Sequence, residues 1–203
     1  MKSFSEIETV SKRSSRAAGF SWGIAEEIGK NIRMLEMFGI CGIKNLNYYL
    51  KIKKNKDFEN LILITNKNKT TKLELCPIVA GLNFLDQVSF LEDFGEIKFE
   101  KIAYPLLFLP FISRASQIIG KKIRLNIDNT VFLLNYNTSI YSNSLKNGVI
   151  EIGNNISIKF EENKDSFKES EWKELYKLSE NTFVEENESL KNAGAGAGLT
   201  DND

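Results

Sequence analysis

Histidine is absent from all 203 residues of the chain. That excludes Ser-His-Asp and Cys-His nucleophile systems, imidazole acid–base catalysis and every histidine-containing zinc or iron site. The only two cysteines, Cys41 and Cys76, are too few for a disulfide framework or a four-thiolate structural zinc site. Neither charge sign is in excess, with 27 Lys and Arg against 27 Asp and Glu, so no global field recruits nucleic acid or an anionic membrane. Long apolar runs are also missing. The longest, Tyr104 to Ile112, is broken by Pro105 and Pro110 and is too short to span a bilayer. The first residues, Met1 to Glu6, lack the apolar stretch of a signal peptide. The expectation is a soluble, reduced, cytoplasmic protein with no nucleic-acid or membrane partner. Any catalysis in it falls to carboxylates, Lys, Tyr, Cys or a borrowed cofactor.

What is present is ordinary for a globular chain, with 42% hydrophobic and 27% charged residues in a length that can bury a sizeable core. Residues 3–18 read as a helix capped by Ser3 or Ser5, with Glu6 and Glu8 in its first turn and Gly19 after it. Ser21 caps a second helix striped by Ala25, Ile28, Ile32 and Leu35 and stopped at Gly39, with Trp22 expected to anchor the pair. A third helix runs from Ile43 to about Ile52, before the lysine-rich connector Lys51 to Lys56.

The period then changes. Residues 61–64 and 72–75 read as two strands joined by a polar turn, and Pro77 opens a helix to about Leu91. Alternation over Glu96 to Ala103 predicts a strand. A helix from Pro105 to Ile119 must kink or start late at Pro110. Two hairpins are expected, residues 122–128 with 131–136 and residues 148–152 with 156–160, the second turning at Gly153-Asn154-Asn155. Residues 168–180 read as a final helix. The fold class is α+β: a three-helix head at about 3–54, a mixed body at about 58–192 within a single domain 1–192, and a tail at 193–203.

The tail, Ala193-Gly194-Ala195-Gly196-Ala197-Gly198-Leu199-Thr200-Asp201-Asn202-Asp203, couples a small-residue leader to a dense acidic terminus. It reads as a hook for a metal or an amine, as a peptide docked into a partner, or as a frayed end. Three further residues are candidates for ligand binding. Arg114, on an otherwise apolar helix, either snorkels to solvent or binds an anion or carboxylate, with Asp201 and Asp203 as intramolecular options. Glu26, beside Glu27 and after Trp22, either serves the helix dipole or pairs with Arg16 or Arg33 at a partner surface. Asp86 reads as a boundary charge, Cys76 as a small buried hydrophobe and Cys41 as the more accessible thiol. Gly19, Gly23 and Gly29 follow no strand and make no dinucleotide fingerprint.

The segments Ser15-Arg16-Ala17-Ala18-Gly19-Phe20-Ser21-Trp22-Gly23-Ile24-Ala25-Glu26-Glu27 and Pro105-Leu106-Leu107-Phe108-Leu109-Pro110-Phe111, with the terminal Gly-Ala-Gly-Ala-Gly-Leu-Thr-Asp-Asn-Asp, resemble an uncharacterised bacterial family, domain of unknown function 3726. That resemblance implies that the three segments form one functional unit and implies no activity. A weaker, partial resemblance links Ser5 to Leu50 to the N-terminal helices of the nicotinamide-dependent type-2 malate/L-lactate dehydrogenases. Cys41 stands where that family's Ser-His-Gly element has its histidine, which implies a shared helical scaffold without hydride chemistry.

Three functions follow as expectations. The first is a cytoplasmic accessory or ligand-binding protein of small-molecule metabolism, its tail recognising a metabolic enzyme partner or a cleft. The second is a small lyase, isomerase or hydrolase using carboxylates, with Thr200, Asp201 and Asp203 suited to magnesium or manganese. The third is a homo-oligomeric structural subunit assembled through the tail. No cofactor is specified.

Overall fold

A computed structural model describes residues 2–144 and 148–183. Two compact units divide the chain, Met1–Asn163 and Lys164–Asp203. The first begins with the expected head: α1 (Phe4–Ala17), α2 (Trp22–Met37) and α3 (Gly42–Lys53). Ser3 and Ser21 cap α1 and α2 by accepting from the backbone N–H of Glu6 and Ile24. Trp22 does not anchor the pair, since it is 57% exposed. Close approach at Gly29 does that work, because a Cβ there would lie 2.8 Å from the carbonyl oxygen of Glu8. Ala25, Ile28, Ile32 and Leu35 carry the buried stripe as the spacing predicts.

The remaining elements of this unit are β1 (Lys67–Asn68), α4 (Pro77–Leu91), β2 (Glu96–Ala103), α5 (Leu109–Ile119), β3 (Lys122–Ile127), β4 (Thr130–Asn135), β5 (Ser139–Ser142) and β6 (Ile152–Glu161). The strands form one six-stranded sheet in the order β1-β2-β6-β3-β4-β5. Among these strands the β1–β2 pair is parallel and the other four pairs are antiparallel. One row of the sheet, Ile97, Ile158, Leu125 and Phe132, is wholly buried in register. Helix α4 packs on β2, and α5 on β3 and β4, so that the core lies between these helices and that face. The alternate row, Glu96, Lys159 and Arg124, belongs to the opposite, polar face.

Two expectations are corrected. Residues 61–64 and 72–75 do not pair as a hairpin. Instead α4 supplies the partners: Asn83 Nδ2 donates to the Leu61 carbonyl at 2.8 Å, and Gln87 Nε2 to the Ile62 carbonyl at 2.8 Å. Two polar side chains one helical turn apart thus replace a strand ladder, and Ile62 and Leu63 point outward, 74% and 69% exposed. Residues 148–160 do not form a second hairpin either. Asn155 is left-handed (φ 56°), but inside the continuous strand β6, where it breaks the ladder between Phe99↔Ile156 and Lys101↔Asn154. The pairing partner of β4 on its outer side is instead β5, reached through left-handed Tyr136 and Asn137. The late start expected at Pro110 is observed: Pro105–Leu107 is a 3₁₀ turn, and α5 begins at Leu109 with Pro110 in its first turn, where no backbone N–H is required.

The described part of the second unit contains α6 (Glu169–Ser179) and a 3₁₀ turn, Glu180–Thr182. The Lys168 N–H donates to Glu171 Oε2 at 2.6 Å, and Phe167 stacks on Trp172 with ring centres 5.7 Å apart.

Candidate functional site

At the end of β2 the chain must leave the sheet abruptly. Pro105 bars the right-handed helical region to the residue before it. Tyr104 takes the left-handed conformation instead, φ 44° and ψ 58°, which a bulky residue adopts only when its surroundings enforce it. They do so by donation from its N–H to the Glu151 carbonyl at 2.8 Å and by acceptance at its carbonyl from the Leu107 N–H at 2.9 Å. The strained turn drives the Tyr104 ring into the core, where it meets the Tyr49 ring edge-on at 5.8 Å. Phe58 and Phe20 pack on Tyr49 at 5.1 and 6.4 Å, completing an aromatic cluster that joins α3, the loop after it and the end of β2.

Within this cluster Tyr49 Oη lies 3.0 Å from Cys76 Sγ, at the residue that opens α4. The Tyr104 hydroxyl is buried and, among the described residues, has no hydrogen-bond partner. Beside it is a cavity of about 60 Å³ whose polar lining is Lys56, Glu74, Glu151 and Tyr104, and whose apolar walls include Ile52 and Phe58. Lys56 Nζ reaches Glu74 Oε2 at 2.7 Å and sits 5.8 Å from the centre of the Phe58 ring. The Lys56 ammonium holds the Glu74 carboxyl below its usual value against the opposing effect of burial. Burial raises the Tyr104 phenol, and the charge of Glu151 adds to the rise. Burial also raises Tyr49, with the Cys76 sulfur reinforcing it. Both phenols are therefore protonated at neutral pH, and the cavity presents two carboxylates against one ammonium.

The candidates read from sequence lie elsewhere. Arg114 Nη1 donates to Glu27 Oε2, its guanidinium carbon lies 5.5 Å from the Phe111 ring centre, and its buried Nε and Nη2 have no partner among the described residues. Burial opposes the charge on Glu27, but hydrogen bonding and attraction from Arg114, helped by Lys30, outweigh it and lower its pKa. Glu26 binds Lys30 at 3.1 Å and Lys12 at 3.3 Å, and those two lysines lower its pKa in that order. Arg114 and Glu26 thus belong to one charge chain, Lys12–Glu26–Lys30–Glu27–Arg114. The partners are Lys12, Lys30 and Arg114, whereas Arg33 pairs with Glu8 at 2.8 Å and Arg16 donates to the Phe20 carbonyl at 3.1 Å. Trp22 stands apart from this chain, with the Arg16 guanidinium 5.5 Å from its ring centre. Asp86 is exposed, Cys41 partly exposed and Cys76 buried, as read. Thr200, Asp201, Asn202 and Asp203 lie outside the described residues.

Among the described residues no group of three or more His, Cys, Asp or Glu side chains is placed to hold a metal ion, and no helix is long and apolar enough to cross a membrane. The cavity at Tyr104 escaped the sequence reading. Its one advance signal is the Tyr104-Pro105 dipeptide directly after an alternating strand.

These features define an α+β protein with a helical head, a mixed sheet and a small polar cavity where the two meet. The N-terminal part of the chain, residues 2–76, is similar to the family described as Protein of unknown function (DUF3726), whose model matches it. The match includes Tyr49, Lys56, Phe58, Glu74 and Cys76; Tyr104 and Glu151 lie beyond it. No curated protein matches the chain, and no solved structure does.

Proposed function

We propose that the chain is a ligand-binding accessory protein of small-molecule metabolism whose ligand inserts an ammonium group into the cavity at Tyr104. The observation that carries this reading is a buried phenol without a partner, on a strained backbone, beside a cavity with an acidic excess. Strained residues and unsatisfied buried polar groups concentrate where proteins bind or react. Two carboxylates select a cation, the aromatic wall of Phe58 favours one further, and the Tyr104 hydroxyl completes its hydrogen bonding on an incoming donor. A volume of about 60 Å³ admits a head group, with the rest of the ligand outside. In this reading the tail after Ala193 is a recognition element for a metabolic enzyme partner.

Titration calorimetry with methylammonium, n-propylammonium and ethanolamine tests the cavity. Saturable binding that Glu74→Gln weakens about tenfold, roughly 1.4 kcal/mol, is expected. Equal binding of sodium acetate, or no amine binding at all, would sink the reading. For the tail, capture from native lysate by the full chain and by one ending at Ala193 should differ by a specific companion.

A second reading rests on the same cavity. A protonated phenol, an ammonium and two carboxylates around one space are a set for histidine-free acid–base catalysis. Turnover of an amine substrate that Tyr104→Phe abolishes would favour it over binding alone.

A further inference from the structure

A second concavity lies on the polar face of the sheet, a groove of about 420 Å³ across β1, β2 and β6, lined by Lys67, Lys69, Lys98, Glu96, Glu100 and Asn155 among others. Lys67 and Lys69 alternate about the buried Asn68, which puts both side chains on one face of the edge strand and its continuation. Lys98 is directly opposite Lys67 in the parallel register. Three lysines therefore share one face of the groove. Like charges directly opposite in a sheet destabilise it, and the carboxylates here do little to relieve Lys67 and Lys69. Glu96 is already shared between Lys98 at 3.1 Å and Lys159 at 3.4 Å, and Lys98 before Lys159 holds its carboxyl ionised by lowering its pKa. Glu100 Oε2 accepts from the Thr70 N–H at 3.2 Å. Among the described residues neither Lys67 nor Lys69 forms an ion pair. At the end of the groove, left-handed Asn155 interrupts the ladder opposite Glu100. Its exposed amide adds neutral donors at a break in the regular sheet.

We propose that this groove is a binding site for a small phosphorylated molecule, separate from the cavity at Tyr104. Lysines act as point charges that suit a phosphate from several directions, whereas a carboxylate is matched best by the planar fork of an arginine, and no arginine lines the groove. The volume falls in the range of about 300–1,000 Å³ typical of small-molecule sites.

Inorganic pyrophosphate is the probe, with sodium citrate as the carboxylate arm, each added at ionic strength matched with potassium chloride. The wild-type chain should show saturable pyrophosphate binding by calorimetry and a rise in Tm. The Lys67→Gln/Lys69→Gln variant should lose at least about tenfold in affinity. Without ligand its Tm should equal or exceed that of wild type, since removing mutually repelling charges relieves the sheet. Lys98→Gln, as an independent single variant, should also weaken binding, whereas Lys122→Gln on β3 should not. Absence of saturable binding, pyrophosphate affinity unchanged in the double variant, or a citrate response equal to that of pyrophosphate would each overturn the proposal.

Discussion

Gly81 in α4 lies against the ring of Phe111 in α5, so closely that a Cβ at Gly81 would fall 2.6 Å from Cγ and 2.9 Å from Cε2 of that ring. Phe111 is completely buried and cannot swing away. The pair sets how near the two helices covering the sheet approach each other. Alanine normally stabilises a helix interior by about 1 kcal/mol over glycine. Here overpacking reverses the sign, and Gly81→Ala should cost about 1–3 kcal/mol net. Urea denaturation should show a lower midpoint with an unchanged slope. An unchanged or raised midpoint would mean that α4 and α5 are not in contact at this point.

The Tyr104 hydroxyl yields a prediction of opposite character. Tyr104→Phe keeps the ring against Tyr49 and removes a buried group that has no partner. Stability should hold or rise by about 1 kcal/mol, because an unsatisfied buried polar group is a cost in the folded state. Tyr104→Ala leaves the left-handed backbone in place and empties the core, and should cost about 3 kcal/mol. Thermal unfolding of the two variants separates ring from hydroxyl. Equal losses would show that the hydroxyl is hydrogen-bonded after all.

Glu27 and Arg114 should give the helical head part of its acid sensitivity. The folded-state pKa of Glu27 is lowered, so its contribution is present above the unfolded-state value and is lost as pH falls through the folded-state value. Glu27→Gln should cost about 1–2 kcal/mol at neutral pH once solvent screening of this partly exposed pair is included. The difference between wild type and variant should stay constant down to about pH 5 and shrink below about pH 4.3. A difference that persists undiminished at pH 3 would assign the loss to packing instead of charge.

How far the sequence leads depends on how local the deciding interaction is. Ser3, Ser21 and Gly39 act within one or two turns, so α1 and α2 are readable almost to the residue. The strand from Glu96 to Ala103 is equally plain, because its alternation survives in the structure until the break at Glu100. Asn155 misleads because asparagine tolerates a left-handed backbone in turns and in strand irregularities alike, and only the register with β2 decides between them. Residues 61–64 mislead because their partners are side chains of α4, more than twenty positions away. The two sites differ in the same way. Arg114 is conspicuous in an apolar helix, yet its partner is 87 positions distant. The cavity at Tyr104 gathers residues from four separate segments, and no local pattern announces it.

The two thiols should differ sharply in reactivity. Cys41 is partly exposed beside Gly42, whereas Cys76 is 4% exposed, with its sulfur 3.0 Å from the Tyr49 hydroxyl. In the native protein iodoacetamide should modify Cys41 first, and Cys76 only through opening of the cluster that holds Tyr49, Phe58 and Tyr104. Sub-denaturing urea should therefore accelerate modification of Cys76 steeply and of Cys41 little. Tyr49→Phe removes the partner of the sulfur but keeps the ring, and should cost about 1 kcal/mol while leaving Cys76 the slower thiol. A time course by intact-mass and peptide spectrometry reads both rates. Equal rates in the native wild-type chain would show that the aromatic cluster does not close over Cys76, and the packing that forms one wall of the cavity at Tyr104 would be in doubt.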